Sequence, residues 1–174
     1  PLFKRASMFQ AISGAVDYTA LARDLTVAIE SPGVSAIMLQ VDSPGGQVEG
    51  LADLTAMVRA SKKPVHVHTD GTMASAAYWL ASAADRITAS DTAVIGSVGV
   101  MMALKSAEPK AGEKNYRFVS SVSPMKNAGP ETEEGAAGLQ ALVDDLGRVF
   151  VDAVADNRGV SADAVATNFG RGDV

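Results

Sequence analysis

The chain has 174 residues, of which 15 are lysine or arginine and 20 are aspartate or glutamate, so that the formal net charge is −5 at pH 7. This acidic balance disfavours nucleic acid and anionic membrane surfaces as main partners. The absence of cysteine excludes disulfides, a thiolate nucleophile and cysteine-based metal sites.

The first half of the chain alternates predicted strands and helices. Apolar residues at 8–12 predict a first strand, and helical spacing from Tyr18 predicts a helix that ends at residues 31–33. The nearly continuous apolar run at 34–41 predicts a strand buried on both faces of a parallel sheet. An amphipathic helix follows, and its apolar face carries Leu51, Leu54 and Val58.

The second half continues the alternation. Strands are predicted at residues 65–69, 85–89, 92–100 and 116–122, with an alanine-rich helix after Ser75. The remaining predicted elements are a helix at 103–114, a polar loop at 123–134, a long amphipathic helix at 134–157 and a last helix capped by Ser161. We therefore expect one α/β domain with a mainly parallel sheet over residues 1–174, without a transmembrane segment.

Sites in open α/β sheets form beyond the carboxyl ends of the strands. Three predicted strand ends carry suggestive residues: Gly45-Gly46 after the first buried strand, Ser75 after residues 65–69, and Lys126 after residues 116–122. Their convergence predicts a serine nucleophile with a lysine base. Taken alone, Ser75 is more typical of an ordinary helix N-cap, and Lys126 of a solvated loop lysine.

Each residue of this hypothesis has a physical task. A neutral lysine accepts the serine proton only if the lysine pKa falls well below about 10.4. Such a fall requires burial of the amine away from solvent, or positive charges close to it. The backbone N–H groups of Gly46 and Ala76 are candidates for stabilising an oxyanion, and Gly45 and Gly46 present amides without an obstructing side chain. A simple turn is the alternative interpretation of this glycine pair.

Two further motifs carry weaker hypotheses. His66 and His68 alternate on one strand and share a face, but a third ligand at metal-binding spacing is lacking, so we predict no metal site. The tripeptide Arg171-Gly172-Asp173 matches a cell-adhesion motif that is too short to be informative.

Four motifs occur in an order and spacing that resemble one peptidase family. They are Asp42-Ser43-Pro44-Gly45-Gly46, Ala74-Ser75-Ala76-Ala77-Tyr78, Gly96-Ser97-Val98-Gly99-Val100 and Lys126-Asn127-Ala128-Gly129-Pro130. From about residue 8 onward the chain is similar to the signal peptide peptidase A (protease IV) family. Residues 11–15 and 169–172 look like its bacteriophage branch, the head-maturation or minor capsid protein C peptidases.

The resemblance implies a Clp-protease/crotonase-like fold, a spiral of ββα units that assembles into homo-oligomers. It implies that Ser75 is the nucleophile and Lys126 the general base, with Lys105, Lys110 and Lys114 as rival bases. Ser97 matches a serine that orients the lysine amine. Gly46 and the Ala76 amide match the oxyanion hole, beside Gly45. The family's final strand and helix are missing, so the chain is expected to be a fragment of a peptidase domain.

The resemblance also implies a function and its setting. We expect a serine endopeptidase, without cofactor, that processes phage capsid or scaffold proteins during head maturation in the host cytoplasm or prohead. The alternatives are a signal-peptide-degrading peptidase at a bacterial membrane or in the periplasm, and a non-catalytic capsid or scaffold protein. A Clp-type Ser-His-Asp triad is disfavoured because no histidine follows Ser75. A crotonase-type acyl-CoA enzyme is disfavoured because its chemistry needs no serine nucleophile.

Overall fold

A computed structural model describes residues 1–4, 16–104, 118–123, 125–126, 128–169 and 172–173. The chain divides into two compact units, Pro1–Gly99 with Arg148–Val174 and Val100–Gly147. The strand predicted at residues 8–12, and the helix predicted at 103–114 from residue 105 onward, lie outside the described residues. The single domain therefore stays a prediction.

The described parts of the chain contain seven strands and five helices. In order they are β1 (Leu2–Phe3), β2 (Val16–Asp17), α1 (Tyr18–Glu30), β3 (Ile37–Gln40), α2 (Leu51–Arg59), β4 (Val65–Thr69), β5 (Thr72–Ala74), α3 (Ala76–Ser82), β6 (Arg86–Ala89), β7 (Val94–Gly96), α4 (Glu133–Arg158) and α5 (Ala162–Asn168). The helices predicted from Tyr18, around Leu51 and over residues 134–157 are confirmed, as is the Ser161 cap of α5.

The strands of the first unit form parallel ladders. One sheet has the order β3-β4-β6, and two strand pairs join β1 with β2 and β5 with β7. Isolated parallel bridges connect Ser43 with Met73 and Leu2 with Gly46. The segment from Ser43 to Gly46 therefore lies between β5 on one side and β1 on the other.

The three-stranded sheet is covered on one face only. In β4, Val65, Val67 and Thr69 are buried, whereas His66 and His68 alternate with them on the other face. On β3, Met38 lies on this open face and is 62% exposed. The predicted burial of residues 34–41 on both faces is therefore wrong, because the side chain of Met38 is exposed on the second face.

Helix α3 forms the centre of the core of the first unit. All seven of its residues are buried. The ring of Trp79 stacks on Phe150 of α4, with ring centroids 4.8 Å apart and an interplanar angle of 14°. At the C-terminal end of α3, the Arg158 guanidinium donates hydrogen bonds to the carbonyls of Ser82 and Ala84. The helix is thus fixed along its length and at its C-terminus.

The second unit departs from the sequence-based expectation. Residues 118–122 form no strand. Phe118 and Val122 are 94% and 87% exposed, and no strand among the described residues pairs with this segment. Strand propensity reflects packing on a half-buried pleated surface, and that surface is lacking here. Across the described residues, no helix has the length and apolar character needed to cross a membrane.

Candidate active site

Ser75 lies at a strained turn between β5 and α3. Its backbone has φ 53° and ψ −126°, a left-handed value of φ that non-glycine residues rarely adopt. Such a conformation costs on the order of 1–3 kcal/mol and persists only where the surroundings enforce it. A strained turn from strand to helix is also how some hydrolases expose a nucleophilic serine.

Hydrogen bonds on both sides hold this turn. The Ser75 N–H donates to the carbonyl of Gly96 at 2.9 Å, and the Ser75 carbonyl accepts from the N–H of Trp79 at 3.0 Å. The Ser75 side chain makes no capping hydrogen bond to the helix. Ser75 therefore occupies the N-cap position of α3, but it differs from an ordinary capping serine, whose hydroxyl accepts from the first helical amides.

Gly45 is in direct contact with Ser75. Its φ of +115° suits glycine, and a β-carbon there would lie 2.7 Å from Cβ and 3.1 Å from Oγ of Ser75. Gly45 therefore lies beside Ser75 in the fold, whereas Gly46 packs against the backbone of Leu2. Gly45 is buried and Gly46 is exposed, so solvent reaches the loop at Gly46.

Asp42 and Ser43, for which no role was predicted, both hold the glycine loop. The buried Ser43 hydroxyl accepts from the Gly45 N–H at 3.2 Å, and its backbone exchanges hydrogen bonds with Thr72 and Ala74. The Asp42 carboxylate accepts from the Thr72 N–H at 3.0 Å. The order Asp-Ser-Pro-Gly, with its turn-forming side chains, was the signal that pointed to them.

The backbone amides of Ala76 and Gly46 stay the candidates for oxyanion donors. Ala76 is the first residue of α3, so its N–H has no acceptor within the helix. The Gly45 carbonyl accepts from the N–H of Leu2 at 2.8 Å. In a trans peptide the following N–H points the opposite way, so the Gly46 N–H is directed away from Leu2.

Ser97 follows β7 at the same level at which Ser75 follows β5. The two strands pair with Ala74 opposite Gly96, and Ser97 has a φ of 54°, nearly that of Ser75. The Ser97 N–H donates to the carbonyl of Asp173. Ser75 and Ser97 thus each follow the last registered residue of two paired strands, which places their backbones side by side.

Lys126 belongs to the second unit, whereas Ser75 belongs to the first. It is exposed in a turn in which its N–H donates to the carbonyl of Ser123 at 3.0 Å. Residues 118–122, expected to end the strand before it, form no strand, so Lys126 does not follow a strand end in the described chain, and its convergence with Ser75 stays a prediction. Lys105, Lys110 and Lys114 lie outside the described residues. The role of Lys126 stays a prediction.

The histidine pair on β4 has an ordinary structural environment. His68 Nδ1 lies 2.9 Å from Thr88 Oγ1 on the neighbouring strand. Within the described ranges, no three histidine, aspartate or glutamate side chains are placed to hold a metal ion.

An apolar cavity lies next to the glycine loop and α3. Its volume is about 180 Å³. The lining residues come from β1, β2, α1, the end of β3 and one face of α3: Leu2, Val16, Leu21, Leu39, Gln40, Val41, Asp42, Ser43, Ala77 and Leu80. Because its walls are mainly aliphatic, it suits an uncharged side chain.

Comparison with known proteins identifies two overlapping sequence families. The family described as Peptidase family S49 matches residues 57–170, and the one described as Clp protease matches residues 8–105. A mutant of the 1510-N membrane-bound stomatin-specific protease has a similar structure, with a TM-score of 0.54 at 18% identity over 84% of this chain and 59% of that one. The predicted α/β fold of the Clp-protease/crotonase type is therefore confirmed.

Two curated phage proteins are similar along most of the chain. Head-tail preconnector protein GP5 of Enterobacteria phage P21 is 32% identical over 94% of this chain, which spans 34% of that protein. Capsid assembly protease C of Escherichia phage lambda is 33% identical over 94% of this chain, which spans 39% of that protein. Protease 4 of Salmonella typhi is 31% identical over 73% of this chain and 22% of its own length. The chain thus spans well under half of these relatives.

Proposed function

Because the chain belongs to peptidase family S49, we propose that it is a serine endopeptidase with Ser75 as nucleophile and Lys126 as general base. The observation that carries this proposal is the contact between Gly45 and Ser75 at a strained turn where the serine hydroxyl does not cap the helix. A hydroxyl withheld from local hydrogen bonding at a helix start is available to attack a substrate.

The proposed reaction is a two-step acyl transfer. Ser75 Oγ attacks the carbonyl carbon of the scissile peptide bond while the neutral amine of Lys126 takes the hydroxyl proton. The N–H groups of Gly46 and Ala76 stabilise the oxyanion of the tetrahedral intermediate. The lysine ammonium then protonates the leaving amine, and a water molecule deprotonated by the same amine releases the acyl group. Ser97 orients the lysine amine.

We propose phage capsid or scaffold proteins as the substrates, cleaved during head maturation in the host cytoplasm or prohead by a homo-oligomer. Similarity to capsid assembly protease C over 94% of the chain supports this choice. The apolar cavity beside Ala77 is suited to hold an aliphatic side chain next to the scissile bond.

Two alternatives have a specific observation in their favour. Similarity to the putative signal peptide peptidase SppA of Enterococcus faecium favours a peptidase that degrades signal peptides. Similarity to a protein named for the head-tail preconnector favours a structural component of the phage head without hydrolytic activity. A structural component has no activated serine nucleophile, so covalent labelling of Ser75 distinguishes it from the proposed peptidase.

A fluorophosphonate probe tests the nucleophile. Ser75 Oγ is expected to displace fluoride and form a phosphonyl ester that mass spectrometry of a tryptic digest locates on this residue. Ser75→Ala should abolish labelling, whereas Ser35→Ala, at an exposed turn, should label like the wild type. The same proteins are then tested on a fluorogenic peptide selected from a random library with the wild-type chain. No adduct on Ser75 and no cleavage by the wild type would refute the proposal.

A further inference from the structure

The loop that carries Gly45 and Gly46 is fastened to the N-terminal strand β1. The Leu2 N–H donates to the Gly45 carbonyl at 2.8 Å, and the Gln47 N–H donates to the Leu2 carbonyl at 2.9 Å. A β-carbon at Gly46 would overlap the backbone carbonyl of Leu2. The loop and β1 therefore touch backbone to backbone, with Leu2 only 6% exposed.

These bonds determine the direction of one peptide plane. The carbonyl of Gly45 is fixed towards Leu2, and all described peptide bonds are trans. The N–H of Gly46, in the same plane, therefore points away from β1. Because Gly45 contacts Ser75 and the plane between Gly45 and Gly46 is held by Leu2, a rotation of this plane would redirect the proposed oxyanion donor.

Tyr18 fixes the next part of the loop. Its hydroxyl donates to the Gln47 carbonyl at 2.7 Å, and the residue is 3% exposed. Burial raises the pKa of Tyr18 to about 12, so the hydroxyl keeps its proton and remains a donor at neutral and moderately alkaline pH.

Tyr18 and β1 act on the loop as one connected element. Tyr18 begins α1 directly after β2, and β2 pairs with β1 in the register Leu2 with Val16 and Phe3 with Asp17. The Val16 N–H also donates to the carbonyl of Pro1 at 3.0 Å. The two hydrogen bonds of Leu2 and the one of Tyr18 thus come from a single paired strand and the helix that follows it.

An exposed ion pair nearby provides a useful contrast. Lys4 Nζ lies 2.7 Å from Glu49 Oε1, but both side chains are more than half exposed. Exposed pairs of this kind contribute about 0–1 kcal/mol and are screened by salt. The buried bonds of Tyr18 and Leu2, and not this ion pair, are therefore expected to hold the loop.

We propose that Tyr18, together with β1, positions the Gly46 amide for oxyanion stabilisation, which makes Tyr18 a positioning residue of the reaction. This inference rests on the proposed peptidase function. An oxyanion develops only after substrate is bound, so a misdirected amide lowers kcat and leaves KM nearly unchanged. The contribution of Tyr18 acts through Gln47 and Gly46, without contact with the substrate.

The test begins with Tyr18→Phe, which removes the hydroxyl and keeps the ring. We expect kcat on the selected fluorogenic peptide to fall roughly tenfold with KM within about twofold, a smaller loss than the hundredfold or more that follows removal of an oxyanion donor. Thr55→Val is the matched control, because it removes another buried hydroxyl, which donates to the Leu51 carbonyl at 2.9 Å within α2. Thr55→Val and Glu49→Gln should keep kcat within about twofold.

A second measurement does not depend on activity. Hydrogen–deuterium exchange of the peptide that covers residues 45–49 should be faster in Tyr18→Phe and unchanged in Thr55→Val. A kcat of Tyr18→Phe within twofold of wild type, or unchanged exchange in this peptide, would overturn the inference. If the wild-type chain cleaves no peptide, the proposed function fails, while faster exchange still supports the restraint of the loop by Tyr18.

Discussion

Gly45 and Ser75 are so close that position 45 has no room for a side chain, since a β-carbon would lie 2.7 Å from the Ser75 Cβ. The backbone at Gly45 also has a φ of +115°, which is unfavourable for any residue with a β-carbon. The two residues thus fix each other's position at the proposed catalytic centre.

Gly45→Ala is expected to displace Ser75 and the adjacent amide together. A displacement of about 1 Å in a catalytic group can cost a hundredfold in rate, so we expect kcat/KM on the selected peptide to fall about a hundredfold or more. Gly33→Ala is the matched control, because no atom lies within 4 Å of a β-carbon there. Equal activity of the two variants would contradict the role of the Gly45–Ser75 contact.

Lys126→Ala tests the proposed general base. Removal of a general base typically costs a factor of about 10² to 10⁴, so turnover of the selected peptide should fall at least a hundredfold while circular dichroism stays unchanged. Lys62→Ala, at another exposed lysine, should keep wild-type turnover. Wild-type turnover in Lys126→Ala would refute the dyad, and alanine variants of Lys105, Lys110 and Lys114 would then identify a rival base.

Phe150→Ala should destabilise the first unit by about 3–5 kcal/mol, the range typical of an aromatic residue removed from a core. The ring is 1% exposed and stacks on Trp79, which is equally buried. Urea denaturation followed by Trp79 fluorescence measures the change. Val149→Ala, one position earlier and 49% exposed, should change the free energy of unfolding by less than about 1 kcal/mol. Similar losses in both variants would contradict this account of the core.

The raised pKa of Tyr18 predicts that the free energy of unfolding falls at alkaline pH. Its pKa is about 12 in the folded chain and about 10 when unfolded, so its contribution is complete below pH 10 and is lost as pH rises through 12. The difference in unfolding free energy between the wild type and Tyr18→Phe should therefore shrink over this window, by on the order of 2–3 kcal/mol. Urea denaturation at pH 8, 10 and 11.5 provides the measurement, and parallel curves for the two proteins would refute the shift.

Periodic segments of the fold were predictable because their burial follows their sequence. In β4 the apolar residues Val65 and Val67 alternate with two histidines, and the alternation matches the buried and open faces. The three-residue strand β5 was not predicted, since so short a segment has no period and depends on pairing with β7. Residues 118–122 were predicted as a strand from their composition but form none, because no described strand pairs with them.

The site was predictable in its composition more than in its geometry. The glycine pair lies beyond the end of β3, as expected from the arrangement of parallel sheets, whereas Ser75 follows β5 and not the strand at residues 65–69. The left-handed backbone of Ser75 depends on its bond to Gly96, and the fixed plane of Gly45 depends on Leu2, which is distant in sequence. Tertiary hydrogen bonds of this kind leave no local pattern in the amino-acid order.

The register between β5 and β7 sets the relative positions of Ser75 and Ser97. Ser75 and Ser97 each emerge immediately after the registered pair Ala74 and Gly96, so strand pairing, and not the length of the intervening turns, sets their separation. Loss of one residue from β5 would retract Ser75 by one step of about 3.3 Å and turn its side chain to the opposite face. Length variation is therefore expected to be tolerated in the turn around Asp91 and selected against within the three residues of either strand.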